Sequence, residues 1–319
     1  MPPKTPNFWQ HDSLISKFLT PFSGLYHIGQ QMDSFVTFAY KSSVPVLCVG
    51  GVVAGGSGKT PVLHAFLALI RERGLYSNPV ILTRGYGGKI TASTLVDPQT
   101  HTYKDVGDEA LLHARHAPTI VGRNRMESAK LAESMNADCI LMDDGLQNNK
   151  LEKTASVLVI DGVQGLGNGK LLPAGPLREP LNDVLEKICM AIEVGESNLF
   201  IPQKPLLSSS VRVLSNHDKS VPYVGFAGLG YPDKFRQTLL AHSFDLQDFI
   251  PFADHHPYTA DDIQKIRNAA SNARIITTAK DYVRIPPELR NGIDVLEIAI
   301  AFNDPDKVYA ILSECMAAR

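Results

Sequence analysis

Gly50-Gly51-Val52-Val53-Ala54-Gly55-Gly56-Ser57-Gly58-Lys59-Thr60 decides how the rest of this 319-residue chain is read. The apolar run Val46-Leu47-Cys48-Val49 enters it and predicts a strand. From Thr60 to about Arg73, Leu63, Phe66, Leu67 and Ile70 recur on one helical face. Strand, glycine loop and helix in that order are the setting of a phosphate-binding loop. Gly55, Gly56 and Gly58 let backbone N–H groups turn inward around phosphate oxygens, and the helix N-terminus adds partial positive charge. Lys59 is placed to reach the β- and γ-phosphates, and Thr60 to set its hydroxyl on Mg²⁺. The usual first glycine, five positions before Gly58, is Val53 here, so Gly55 and Gly56 supply the backbone freedom.

Outward from the loop, strand and helix alternate. Pro79–Thr83, Cys139–Met142 and Val157–Ile160 are further apolar runs without polar alternation, as a parallel sheet covered on both faces requires. The expected architecture is α/β, a doubly wound, mostly parallel sheet over residues 42–215. Residues 202–222, with Pro202, Pro205 and Ser208-Ser209-Ser210, read as a connector. A smaller C-terminal α/β domain, 216–319, follows, with strands at 223–226, 275–278 and 295–298 and helices near 232–241, 259–270 and 305–317. Ahead of the loop, residues 1–41 form an amphipathic helical segment. Leu14, Ile15, Phe18, Leu19, Phe22, Leu25, Tyr26, Met32, Phe35, Val36 and Ala39 fall at helical steps, and Pro21 predicts a break or kink into two pieces. That face either docks on the fold or lies in a bilayer interface.

Composition narrows the function classes. A net charge of −2 excludes a protein that coats nucleic acid. Hydrophobic residues at 44% and charged residues at 20% exclude general disorder. No uninterrupted apolar run of about 20 residues exists to span a bilayer. Cys48, Cys139, Cys189 and Cys315 lie far apart, which is neither a disulfide scaffold nor a zinc module and fits a reducing compartment. The N-terminus does not read as an export signal, so a cytoplasmic protein is expected.

Further motifs carry chemistry. Asp143-Asp144-Gly145-Leu146-Gln147 ends a buried strand, where carboxylates hold Mg²⁺ or merely cap a loop. Asp105-Val106-Gly107-Asp108-Glu109 precedes an apolar helix and supplies either a cap or a base for a substrate hydroxyl. Arg84 follows the second strand and Arg125 lies between the acidic motif and the third, on loops where arginines clamp an anion or stay solvated. Leu171 to Pro180 is a rigid proline-rich loop carrying Arg178. In the C-terminal half, His255 and His256 share a turn without zinc-ligand spacing, and Thr277-Thr278-Ala279-Lys280-Asp281 ends a strand, with a nucleotide contact as one reading.

Together these stretches resemble the tetraacyldisaccharide 4′-kinase family of lipid A biosynthesis. The resemblance rests on Ala54–Pro61, Arg84–Gly87, Gly107–Glu109, Asp143–Gln147, Leu172–Glu179, Phe252–His255 and Thr277–Asp281, in family order. It implies a P-loop kinase fold that uses ATP and Mg²⁺ to phosphorylate the 4′-hydroxyl of a tetraacylated glucosamine disaccharide 1-phosphate, giving lipid IVA. It also implies a peripheral enzyme on the cytoplasmic face of the inner membrane, docked by its N-terminal helix, with no obligate protein partner. Carried onto this sequence, Ser57, Lys59 and Thr60 match phosphate-loop positions. Asp143, Asp144 and Glu109 match acidic residues near Mg²⁺. Asp108 matches the catalytic aspartate, and His255 the histidine paired with it across the domain cleft. Arg84, Arg125, Gln147 and Arg178 match residues lining the acceptor site. Two departures stand out: Ala110 where the family has Pro, and Ala279 where it has Glu. The rival is a P-loop regulatory ATPase or GTPase switch. A guanine-reading motif fails because Lys280 and Asp281 are adjacent, and Ala54 stands where partitioning ATPases carry Lys.

Overall fold

The computed structural model describes residues 6–35, 39–56, 58–195 and 199–317. Val36 and Ser57 lie outside them, as do the side chains of Met32 and Phe35. After α1 (Leu14–Phe35), the phosphate-loop unit is β1 (Val46–Gly50) and α2 (Lys59–Glu72), followed by β2 (Pro79–Thr83) and β3 (Thr94–Leu95). Two short helices, α3 (Tyr103–Val106) and α4 (Asp108–Ala114), precede β4 (Thr119–Val121), α5 (Arg125–Ser134) and β5 (Cys139–Asp143). Then come β6 (Ala155–Asp161), α6 (Leu181–Lys187), β7 (Met190–Val194) and β8 (Leu206–Val213). The smaller unit holds β9 (Pro222–Ala227), α7 (Pro232–Ala241), β10 (Asp245–Pro251), α8 (Ala260–Ala270), β11 (Arg274–Thr278), α9 (Ala279–Tyr282) and β12 (Ile293–Leu296). The chain closes with β13 (Ile298–Phe302) and α10 (Pro305–Ala317).

Among the described residues the large sheet runs β13-β8-β7-β6-β1-β5-β2-β4-β3, and the small one β10-β9-β11-β12. The small sheet is parallel throughout. The large one is parallel except where its edge strands β13 and β3 pair antiparallel with β8 and β4. Every residue of β1, β2, β5, β6 and β7 is buried, as apolar strands covered on both faces must be. Helix α2 packs Val62, Leu63, Phe66 and Ile70 into one of the two cores flanking this sheet. Because β1 lies between β5 and β6, the phosphate loop opens at the carboxyl ends of central strands, where such sheets form their ligand crevice.

Three expectations are corrected. Pro21 does not divide the N-terminal segment: α1 is one helix across it. A proline deletes a single backbone donor, and the turns on either side are pinned to the same loop, Lys170 Nζ reaching Ser16 Oγ at 3.2 Å and Ser23 Oγ donating to Leu171 O at 2.8 Å. The connector at 202–222 contains a strand: β8 takes up Ser208–Ser210, and Ser209 Oγ donates to Glu193 O at 2.7 Å. The C-terminal unit does not extend to residue 319. The apolar run near 295–298 splits at Glu297, and β13 and α10 return to the large sheet, burying Ile300, Val308, Leu312 and Met316 with Leu63 and Phe66.

The docking face of α1 is polar, through Ser16 and Ser23, while its apolar face is exposed. Leu14 is 85% exposed, Phe18 74% and Leu25 68%. No described helix is long and apolar enough to cross a membrane.

Candidate active site

The phosphate loop turns on left-handed glycines, Gly55 at φ 119° and Gly58 at φ 78°, where side chains are strained. Gly58 caps α2, so Lys59 and Thr60 occupy its first turn. Lys59 Nζ lies 3.4 Å from Gly55 O and 3.7 Å from Asp144 Oδ2. The proline-rich loop runs beside this turn like a short antiparallel strand: Ala54 N donates to Pro176 O, and Arg178 N to Val52 O, both at 2.8 Å. Gln147 Nε2 ties Gly51 O at 3.2 Å to Glu179 Oε1 at 2.7 Å. Arg178 Nη1 donates to Asp144 Oδ2 at 2.9 Å. Gln147 and Arg178, expected at the acceptor, therefore brace the loops around the phosphate site.

Asp143 and Asp144 stand at the end of β5, beside that loop. Each has a buried Oδ1 without a hydrogen-bond partner among the described residues. Two orphaned carboxylate oxygens facing a phosphate loop suit a hard divalent cation, which takes oxygen ligands. Burial works to raise the Asp143 pKa, but the His113 hydrogen bond and the charges of His113, Lys59 and Arg125 outweigh it and hold the carboxyl below the usual range. Arg125 opens α5, donates through Nη2 to Asp143 O at 3.3 Å, and leaves a buried Nη1 unpartnered. Burial lowers its pKa. Arg84 is exposed at the end of β2.

The second cluster forms across the two units. Gly107, at φ 85°, separates α3 from α4, and a Cβ there would meet Tyr86 O at 2.4 Å. This turn sets Asp108 and Glu109 at the head of α4. Asp108, 2% exposed, places Oδ2 at 2.8 Å from His255 Nδ1 and 3.4 Å from Arg284 Nε. Burial works to raise its pKa, but the His255 hydrogen bond and the charges of Lys280, His255 and Arg284 hold it below the usual carboxylate range. Glu109, expected beside the metal, instead pairs with Lys280 Nζ at 3.0 Å. Among the described residues no group of three or more His, Cys, Asp or Glu side chains is placed to hold a metal, so the aspartate pair has no third such ligand. Burial acts to lower the Lys280 pKa, and Glu109, Asp108 and Asp254 outweigh it and raise it.

Asp281, read as a nucleotide contact, is wholly buried, accepting from Gly228 N, Tyr258 Oη and Arg284 Nη2 at 2.7–2.8 Å. Its place is the frame of the smaller unit. That unit abuts the phosphate loop: a Cβ on Gly230 would lie 4.0 Å from Gly56 N, and Lys234 on α7 pairs with Asp161 at the end of β6.

Sequence reasoning missed three residues here. Arg284, 1% exposed, joins Asp108 to the smaller unit, and only its i,i+3 spacing from Asp281 hints at it. His113 and His64 join α4 and α2 to Asp143. A histidine in the apolar run Ala110-Leu111-Leu112-His113 was the available signal. Burial, then the neighbouring His113 and His116, keep His64 neutral, with its pKa pushed down to about 2.

The model of the family described as tetraacyldisaccharide-1-P 4′-kinase matches residues 15–317. The tetraacyldisaccharide 4′-kinase of Rhodospirillum rubrum is 38% identical over 329 residues, covering 99% of each chain. That of Gluconobacter oxydans is 38% identical over 327 residues, again 99% of each. Among solved structures, the "apo" form of LpxK from Aquifex aeolicus in complex with ATP superposes with a TM-score of 0.77. The match covers 95% of this chain and 100% of that one at 23% identity, a likeness of fold.

Proposed function

The chain belongs to the tetraacyldisaccharide-1-P 4′-kinase family, and we infer that it phosphorylates the 4′-hydroxyl of a tetraacylated glucosamine disaccharide 1-phosphate with ATP, giving lipid IVA in lipid A biosynthesis. One observation carries the reading beyond the family match. A phosphate loop with a paired-aspartate strand end and a buried aspartate–histidine pair are joined through α4, which carries Asp108 and also His113 at 2.9 Å from Asp143, as transfer between a nucleotide and an alcohol needs both groups in one region. The switch-ATPase alternative has no use for the second cluster.

The glycine loop N–H groups and Lys59 hold the triphosphate and offset its charge. Thr60, Asp143 and Asp144 are the residues that would hold Mg²⁺, which when bound draws charge from the β- and γ-phosphoryl oxygens. Arg125, with a buried and unspent Nη1, would offer that donor to a phosphate oxygen beside Asp143. Asp108 is held ionised, and the Asp108–His255 pair takes the proton of the sugar hydroxyl. Lys280 and Arg284 keep that pair in register from the smaller unit. Arg84 reaches the acceptor from the rim.

The exposed apolar face of α1 supports a peripheral position on the cytoplasmic face of the inner membrane, where an acylated acceptor resides. The testing experiment is transfer of labelled γ-phosphate from ATP–Mg²⁺ to the tetraacyldisaccharide 1-phosphate in detergent micelles, with Lys59→Ala as control. A product heavier by one phosphate, absent in the control, is expected. ATP hydrolysis without lipid phosphorylation would hand the site to the switch reading.

A further inference from the structure

His113 has no part in the roles assigned above, yet its ring is fully enclosed at 0% exposure. It sits on α4 five residues after Asp108 and touches two other elements. Nε2 lies 2.9 Å from Asp143 Oδ2 at the end of β5. Nδ1 lies 2.9 Å from His64 Nε2 on α2, four residues beyond Thr60. A carboxylate only accepts, so the His113 Nε2 proton donates to Asp143. Nδ1 thus rests against His64, which is itself held by His116, its ring 4.1 Å away. The contacts therefore run from α2 through α4 to β5.

The contact with Oδ2 bears on Asp143 directly. With Oδ2 tied to His113, the carboxylate cannot rotate, and Oδ1 is left buried without a protein partner. We propose that His113, oriented by His64, is a positioning residue that presents Asp143 Oδ1 to the divalent cation and locks the head of α4, with Asp108, to the phosphate-loop helix. The proposal rests on Asp143 as a metal carboxylate, argued above. It adds a reason why three elements from separate parts of the chain keep one spacing. Partners that orient a metal ligand typically change metal affinity about 10–100-fold when removed.

The test uses the full chain with ATP and Mn²⁺ and no lipid, so it is independent of the acceptor. Mn²⁺ binding to the enzyme–ATP complex is read by electron paramagnetic resonance, and ATP binding in EDTA by calorimetry. His113→Phe should weaken Mn²⁺ about 10–100-fold with metal-free ATP binding unchanged. His113→Gln, which keeps a donor near the Nε2 position, should restore most of the affinity. If His113→Phe does not fold, His64→Leu should show a smaller loss in the same direction. Wild-type Mn²⁺ affinity in the folded variants, or equal weakening of metal-free ATP binding, would overturn the proposal. Asp143→Asn separates the two readings. If it binds Mn²⁺ normally, Asp143 is no metal ligand and the proposal falls with that assignment. If it loses Mn²⁺ while His113→Phe does not, only the positioning role falls.

Discussion

His255 Nδ1 lies 2.8 Å from Asp108 Oδ2, joining residues 147 positions apart. Asp108 heads a helix beside the large sheet, and His255 follows a strand of the small one, at φ 54°. The pair therefore exists only while the two units are packed together. Losing Asp108 should lower turnover in the micelle assay about 10²–10⁴-fold, as loss of a positioned base does. His255→Gln should cost less, because Asp108 keeps Arg284. Near-normal turnover in Asp108→Ala would remove it from the chemistry.

Arg284 is the hidden half of this arrangement. It is 1% exposed and serves Asp281, Asp108 and the carbonyls of Gly228 and Lys280. Arg284→Met leaves two buried carboxylates without their shared cation, which typically costs about 3–5 kcal/mol. Urea unfolding should show that loss, and a change below about 1 kcal/mol would mean that the carboxylates find other partners.

Acid should weaken the same contact, with a defined sign. Asp108 has a folded pKa below its unfolded value near about 3.9. Its contribution to stability is thus full above the unfolded value and is lost as pH falls through the folded one. The gap in melting temperature between the wild type and Asp108→Asn should persist at neutral pH and close below about pH 4. A gap that closed near pH 7 would contradict an Asp108 held ionised.

His64 titrates in the same sense, from a higher starting pH. Buried neutral, with a folded pKa of about 2, it stabilises fully above its unfolded pKa near about 6.5 and progressively less as pH falls below that. His64→Leu should flatten the decline in urea midpoint between about pH 6.5 and 4. An unchanged slope would mean that His64 takes up a proton inside the fold.

The apolar face of α1 can be tested apart from catalysis. Phe18→Glu with Leu25→Glu should abolish sedimentation with anionic vesicles while changing folding stability by less than about 0.5 kcal/mol, because both side chains are mostly exposed and the Phe18 ring meets Phe22 of the same helix face. Retained vesicle binding would place the membrane contact elsewhere.

The phosphate loop, the apolar strands and the Asp143-Asp144 strand end were legible in the sequence because each is a local pattern. A strand running into glycines and out into Lys59-Thr60 admits few backbone paths, and Val/Ile/Leu runs without alternation admit few sheets. The exposed apolar face of α1 was half legible: its period was plain, but only the fold shows that Ser16 and Ser23 take the docking side. The return of β13 and α10 to the large sheet was not legible, since an apolar strand and helix carry no label for the core they join. The same holds for the pairings that complete the site. Glu109 with Lys280, Asp108 with Arg284, and Asp143 with His113 each join side chains far apart in sequence, and nothing local says which carboxylate meets which cation. Periodicity and glycine placement act over a few residues and so fix elements and the loop, whereas the partner of a buried charge is chosen by the packing that removes water around it.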